Sequence, residues 1–244
     1  MELPVNPLNP KDRLAVALDF PSAQPALELA ARLSGICQWL KVGMELYYAA
    51  GNSLIEALRS RGFNIFLDLK LHDIPNTVAG AVRSATQAGA SLLTLHASGG
   101  PAMMAAAAEA ASGPNAPRLL AVTVLTSMDA AELAAVGVPS SPAEQVLRLA
   151  WLAKQAGIDG MVCSAEEVSA LRDELGPGAL LVVPGIRPAG SEVGDQKRVA
   201  TPGSAIRAGA SMLVVGRPIT QAGDPAEAAS AILREIAEAH SSQR

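Results

Sequence analysis

Eight short aliphatic runs recur along the chain, each followed by a stretch with helical spacing. They are RLAVALD at 13–19, WLKV at 39–42, NIFLDLKL at 64–71, LLTLH at 92–96, LLAVTVL at 119–125, GMVC at 160–163, LLVV at 180–183 and MLVV at 212–215. Runs this short and this continuously apolar mark strands buried on both faces, as in parallel sheets. The spacing predicts the longer helices at about 22–33, 47–61, 77–88, 102–111, 142–155, 165–175 and 224–239, with short ones after Asp129 and at 202–208. Eight such units in 244 residues predict the α/β class and a single-domain (β/α)8 barrel over residues 11–244. A doubly wound sheet is the alternative. It usually carries a Gly-rich phosphate turn after its first strand, whereas Asp19-Phe20-Pro21 stands there.

Half the residues are hydrophobic but only 3% are aromatic, so the core is expected to be aliphatic. The net charge of -4 and the lack of a basic run argue against a nucleic-acid partner. Cys37 and Cys163 each lie inside an apolar segment, which reads as buried thiols in a reducing compartment. No Cys/His spacing suggests a metal site. Residues 1–10 are Pro-rich without a signal pattern and are expected to form a flexible arm. No apolar run approaches the length of a membrane span. The expectation is a soluble cytoplasmic protein with no membrane partner.

In such a barrel, chemistry collects where the strands end. The third run is the most informative. Alternation puts Phe66, Asp68 and Lys70 on one face and Ile65, Leu67 and Leu69 on the other. Asp73 follows, and Pro75 suits the first turn of a helix. An ordinary Asp68–Lys70 ion pair and an Asp73 helix cap are the plain alternatives. Two ionisable groups on one face of a buried strand carry a desolvation cost, which favours a functional reason for both. Asp19, Lys41, His96, Thr126, Arg187 and Arg217 stand at or near the ends of other strands. The loops after strands seven and eight read Pro184-Gly185-Ile186-Arg187 and Val215-Gly216-Arg217. Glycine lets an oxyanion approach backbone N–H groups, and arginine offers a planar fork of donors. A phosphorylated ligand is therefore expected. Residues 188–198 form a long polar loop, read as a lid from which Gln196 reaches over a bound anion. His72 and His96 read as structural, and His240 as solvated.

Several separated motifs together resemble the orotidine 5'-phosphate decarboxylase family. They are Lys41-Val42-Gly43, the stretch from Phe66 through Asp68, Lys70, Asp73, Ile74 and Pro75 to Thr77, His96-Ala97 before Gly99-Gly100, Leu125-Thr126-Ser127, Pro184-Gly185-Ile186-Arg187, Asp195-Gln196 and Val214-Val215-Gly216-Arg217. The resemblance implies conversion of orotidine 5'-monophosphate to uridine 5'-monophosphate, the last step of de novo pyrimidine synthesis. It implies Lys70 as proton donor to C6 of the pyrimidine. Lys41, Asp68, Lys70 and Asp73 would form an alternating charge network, Asp73 being lent by the partner subunit of a homodimer. It further implies substrate contacts from Asp19 to the ribose, from Thr126 to the pyrimidine ring, from Ile74 and Thr77, and from Gln196, Gly216 and Arg217 to the phosphate, with Arg187 nearby. No metal or organic cofactor is implied. Two competitors stand beside it. A hexulose phosphate synthase-like aldolase would need magnesium, and a noncatalytic nucleotide-binding barrel would keep the phosphate residues alone.

Overall fold

The computed structural model describes residues 9–158, 160–188 and 200–241. Its strands are β1 (Leu14–Ala17), β2 (Trp39–Gly43), β3 (Asn64–Leu71), β4 (Leu92–His96), β5 (Arg118–Val122), β6 (Gly160–Val162), β7 (Leu180–Val183) and β8 (Met212–Val215). They pair in parallel in chain order, and β8 returns to β1 to close the barrel. The helices are α1 (Ala23–Leu33), α2 (Met44–Arg59), α3 (Pro75–Ala88), α4 (Pro101–Ala110), α5 (Ala130–Ala135), α6 (Pro142–Gln155), α7 (Val168–Leu175), α8 (Pro202–Arg207), α9 (Arg217–Thr220) and α10 (Pro225–Ser241). The barrel expected from the eight runs is the fold observed. No helix among the described residues is long and apolar enough to cross a membrane.

Strand alternation decides what enters the barrel. Ala15, Ala17, Trp39, Phe66 and Leu92 pack together inside it. Their neighbours Leu14, Val16, Leu40, Leu67 and Leu93 face the helices. Each fully buried side chain of this size contributes roughly 1.5–3 kcal/mol. Trp39 fills the N-terminal end of the barrel, and its indole N–H donates to Asp12 at 3.3 Å. The lower interior is apolar. Following the same parity upward places Asp19, Lys41, Asp68, Thr94 and His96 at the C-terminal mouth.

Local chemistry moves several boundaries from their expected places. α3 starts at Pro75 rather than Thr77, because the proline ring presets the first helical φ. Ile74 is its N-cap and makes no side-chain cap bond, so Asp73 is not the helix cap. α2 begins at Met44, directly after β2, and is broken at Gly51, whose φ of 60° only glycine adopts readily. β5 stops at Val122, before its aliphatic run ends, because Thr123 turns its hydroxyl onto the Val162 carbonyl at 3.0 Å. α9 carries no sequence signal of its own. Of the expected N-terminal arm, residues 1–8 lie outside the described residues. Asn9 caps a 3-10 helix over Pro10–Arg13.

Candidate active site

Four charges meet at the mouth of the barrel, where β1, β2 and β3 end. Lys41 Nζ lies 3.0 Å from Asp19 Oδ1 and 3.6 Å from Asp68 Oδ2. Lys70 Nζ lies 2.8 Å from Asp68 Oδ1. Lys41 is only 8% exposed, a burial that is tolerable because two carboxylates face its ammonium. Asp68 lies between the two lysines. Burial alone would push its carboxyl up. The charges of Lys41 and Lys70, with hydrogen bonds from Lys70 and Thr94, outweigh that and hold it below the usual carboxylate range.

The backbone also contributes. The β3–β4 pairing runs Phe66↔Leu92 and Leu67↔Leu93, then shifts to Leu71↔Leu95. A bulge therefore interrupts β3 just where its charges stand. Lys70 sits in it with φ 49°, a left-handed conformation that costs a non-glycine residue roughly 1–2 kcal/mol. Gly43 makes room for the Lys41–Asp19 pair. A Cβ there would lie 3.1 Å from Lys41 Nζ and 3.4 Å from Asp19 Oδ1.

A cavity of about 610 Å³ opens beside this cluster. Asp19 and Lys41 line it together with Pro184, Gly185, Arg187, Gly216 and Arg217. Its volume falls within the range of small-molecule sites. Strands β7 and β8 thus bring two arginines and two glycines to the same cavity as Asp19 and Lys41, Gly216 standing next to Asp19. The Arg187 N–H donates to the Ala200 carbonyl at 2.9 Å, and Ile186 bridges Ala200, which ties together the two ends of the segment between them.

The remaining expected residues are placed less centrally. Asp73 is exposed and accepts a hydrogen bond from the N–H of its neighbour Ile74 at 2.6 Å; it joins none of the ion pairs of the cluster. Ile74 is 68% exposed, and Thr77 lies on the exposed first turn of α3. Thr126 follows β5 and is half-buried. Gln196 and the lid residues 189–198 lie outside the described residues. His96 ends β4 with its ring 5.4 Å from that of His72. Burial, helped by the nearby His72 and Lys70 and opposed by Asp68, holds its imidazole below the usual range. Thr94, fully buried and bonded to Asp68 at 2.9 Å, carries no expectation from the sequence, and Gly43 stands there only as part of the Lys41-Val42-Gly43 motif. Thr94 was signalled only by being the one polar residue among the leucines of its strand, in step with His96.

The model of the orotidine 5'-phosphate decarboxylase / HUMPS family matches residues 12–232. A relative in Halorhodospira halophila named orotidine 5'-phosphate decarboxylase is 56% identical over 228 residues, which is 93% of this chain and 97% of that protein. The protein of the same name in Pseudomonas aeruginosa is 52% identical over 226 residues, covering 91% of this chain and 97% of its own length. Among solved structures, orotidine 5'-phosphate decarboxylase from Lactobacillus acidophilus superposes with a TM-score of 0.82 at 41% identity, covering 92% of this chain and 98% of its own. With the barrel and its charged mouth in place, these matches put the chain in the orotidine 5'-phosphate decarboxylase / HUMPS family.

Proposed function

We propose that this chain decarboxylates orotidine 5'-monophosphate to uridine 5'-monophosphate, the closing step of pyrimidine nucleotide synthesis, using its own side chains without a metal or organic cofactor. The observation that carries the reading is Lys70 Nζ, held 2.8 Å from Asp68 in a charge cluster whose Asp19 and Lys41 line a cavity shared with Arg187 and Arg217. The phosphate binds at Gly216, Arg217 and Arg187, with Gln196 closing over it. The ribose meets Asp19 and Lys41, and the pyrimidine reaches Thr126 and Lys70.

The chemistry follows from those placements. The bond from C6 to the carboxylate breaks, carbon dioxide leaves, and the electron pair stays on C6. The Lys70 ammonium stabilises that pair as it develops and then gives it a proton. Lys70 regains its proton from solvent before the next turnover. Asp68 lies near the departing carboxylate. Two unit charges about 4 Å apart repel by roughly 4 kcal/mol at an effective dielectric of about 20. That is too small to account for a large acceleration, so most of the effect is assigned to Lys70 and its fixed surroundings. Phosphate contacts remote from C6 supply binding energy that helps hold the base against Lys70.

Asp73 completes the network from the neighbouring subunit of a homodimer. Support comes from its place on the exposed rim beside Ile74, with exposed Met44 and Tyr48 on α2, which packs against α3. Mixing Lys70→Ala and Asp73→Ala chains tests this. Neither homodimer turns over, but each mixed dimer rebuilds one intact site, so a random mixture recovers on the order of a quarter of wild-type activity. No recovery in a mixture shown to exchange subunits would refute the sharing. A cytoplasmic setting suits two buried cysteines that form no disulfide.

The reaction itself is tested by following loss of the orotate ultraviolet absorbance when purified protein meets orotidine 5'-monophosphate in the presence of a chelator. Sustained loss is expected. Binding without loss would leave a nucleotide-binding barrel. Activity on a sugar phosphate that the chelator abolishes would move the chain to the magnesium-dependent aldolases of the same family.

A further inference from the structure

Residue 70 is a lysine in a conformation that lysine does not favour, and something must hold it there. The β3–β4 register advances four residues on β3, from Leu67 to Leu71, against two on β4, from Leu93 to Leu95. Inside that bulge the Lys70 N–H donates not to a strand carbonyl but to the hydroxyl of Thr94, at 2.9 Å. The same hydroxyl lies 2.9 Å from Asp68 Oδ1. Asp68 Oδ1 in turn accepts from Lys70 Nζ at 2.8 Å. A hydroxyl has one hydrogen to give. Because Thr94 Oγ1 accepts from the Lys70 backbone, its own hydrogen is available for the carboxylate. The result is a closed ring: Lys70 N–H to Thr94, Thr94 to Asp68, and Lys70 ammonium back to Asp68.

We propose that Thr94 is a positioning residue for the reaction: its one hydroxyl fixes both the left-handed backbone of Lys70 and the carboxylate that aims the Lys70 ammonium. This inference rests on the decarboxylase reading for its kinetic meaning. Three features make the ring an effective clamp. Thr94 is wholly buried, so water does not compete for its bonds. Its β-branched side chain restricts χ1 and limits where the hydroxyl can point. It also stands inside the barrel on a regular stretch of β4, each of whose five residues is in register with β5. The mobile end of a long lysine is thereby referred to a rigid strand. Misplacing a reacting group by about 1 Å can cost on the order of 100-fold in rate.

The test compares Thr94→Val, which keeps the shape and removes the hydroxyl, with Thr94→Ser, which keeps the hydroxyl. In Thr94→Val, kcat is expected to fall about 100-fold while KM stays within about 3-fold, because the loss falls on the reacting group and not on phosphate binding. Thr94→Ser is expected to recover kcat to within about 5-fold of wild type, the remainder reflecting a looser χ1. A purely structural threonine would lower the melting temperature of Thr94→Val and leave kcat intact, and that result overturns the proposal. Equal losses in the valine and serine variants overturn it as well. Crystal structures of the wild type and Thr94→Val give a reading independent of turnover. Lys70 is expected to leave the left-handed region and its ammonium to separate from Asp68. An unchanged Lys70 overturns the proposal even if the wild type proves to catalyse some other reaction; a wild type without turnover refutes the decarboxylase reading and leaves the clamp to be judged by this comparison.

Discussion

The two sides of the barrel mouth are built on different plans. At β1–β4 the polar groups bond to one another: Lys41 to Asp19 and Asp68, Lys70 to Asp68, and the Thr94 hydroxyl to Asp68. At β7 and β8, Arg187 and Arg217 line the cavity beside glycines. The first side has little freedom to adjust to what enters, and it stores strain at Lys70. The second combines arginines and glycines, the residue types proposed above to bind the phosphate. A preorganised cluster suits stabilisation of charge that exists only in the transition state. A cationic wall suits binding that the ground state and the transition state share. Substitutions on the two sides should therefore separate into losses of kcat and losses of KM.

Below Lys70 itself, the largest effect belongs to Asp68. Asp68→Asn leaves two lysines without their shared anion, and kcat is expected to fall about 1,000-fold in steady-state assays, with KM changed far less. The same carboxylate links the cluster to acid stability. Its folded-state carboxyl titrates below its unfolded value, so its contribution is present above the ordinary carboxylate range and is lost as pH falls through the depressed value. The Asn variant should show a shallower loss of melting temperature on acidification than the wild type. A purely KM effect of Asp68→Asn would break the comparison from this side.

The next effect is expected at Arg217. Arg217→Ala should raise KM about 100-fold and lower kcat less than about 10-fold, measured on orotidine 5'-monophosphate. An unaltered KM would remove the β8 rim from the binding site. Two glycines sharpen the contrast with smaller effects. A Cβ on Gly43 would press on Lys41 Nζ, so Gly43→Ala should reduce kcat/KM about 10-fold and leave the melting temperature nearly unchanged. A Cβ on Gly160 would lie 2.6 Å from the Leu119 carbonyl oxygen, far from these charges. Gly160→Ala should destabilise the fold by about 1–3 kcal/mol in denaturant titrations and leave kcat unchanged.

The barrel was legible because each strand is buried on both faces and so is written as an unbroken aliphatic run. Asp19, Lys41, Asp68 and Lys70 were legible for the converse reason, since a charge stands out in or at the end of such a run. Thr94 was not, because an uncharged polar residue in LLTLH looks like a tolerated threonine until its neighbours on β3 are known. The bulge was hidden too. The run from Asn64 to Leu71 alternates like a regular strand, and the register slip arises only from pairing with β4. Asp73 read equally well as a helix cap or a site residue. Pro75 removed the first option by moving the helix start, which leaves its carboxylate on the exposed rim. The starts of α2 and α3 shifted because Gly43 and Pro75 set the backbone more strongly than hydrophobic spacing did.

The most direct measurement is the single-turnover rate of Lys70→Ala saturated with orotidine 5'-monophosphate, taken alongside its affinity for the substrate. The expected result is affinity within about 10-fold of wild type and a decarboxylation rate lower by about 10,000-fold or more. A rate close to wild type would contradict the account, because the proton and the charge stabilisation would then come from elsewhere in the barrel.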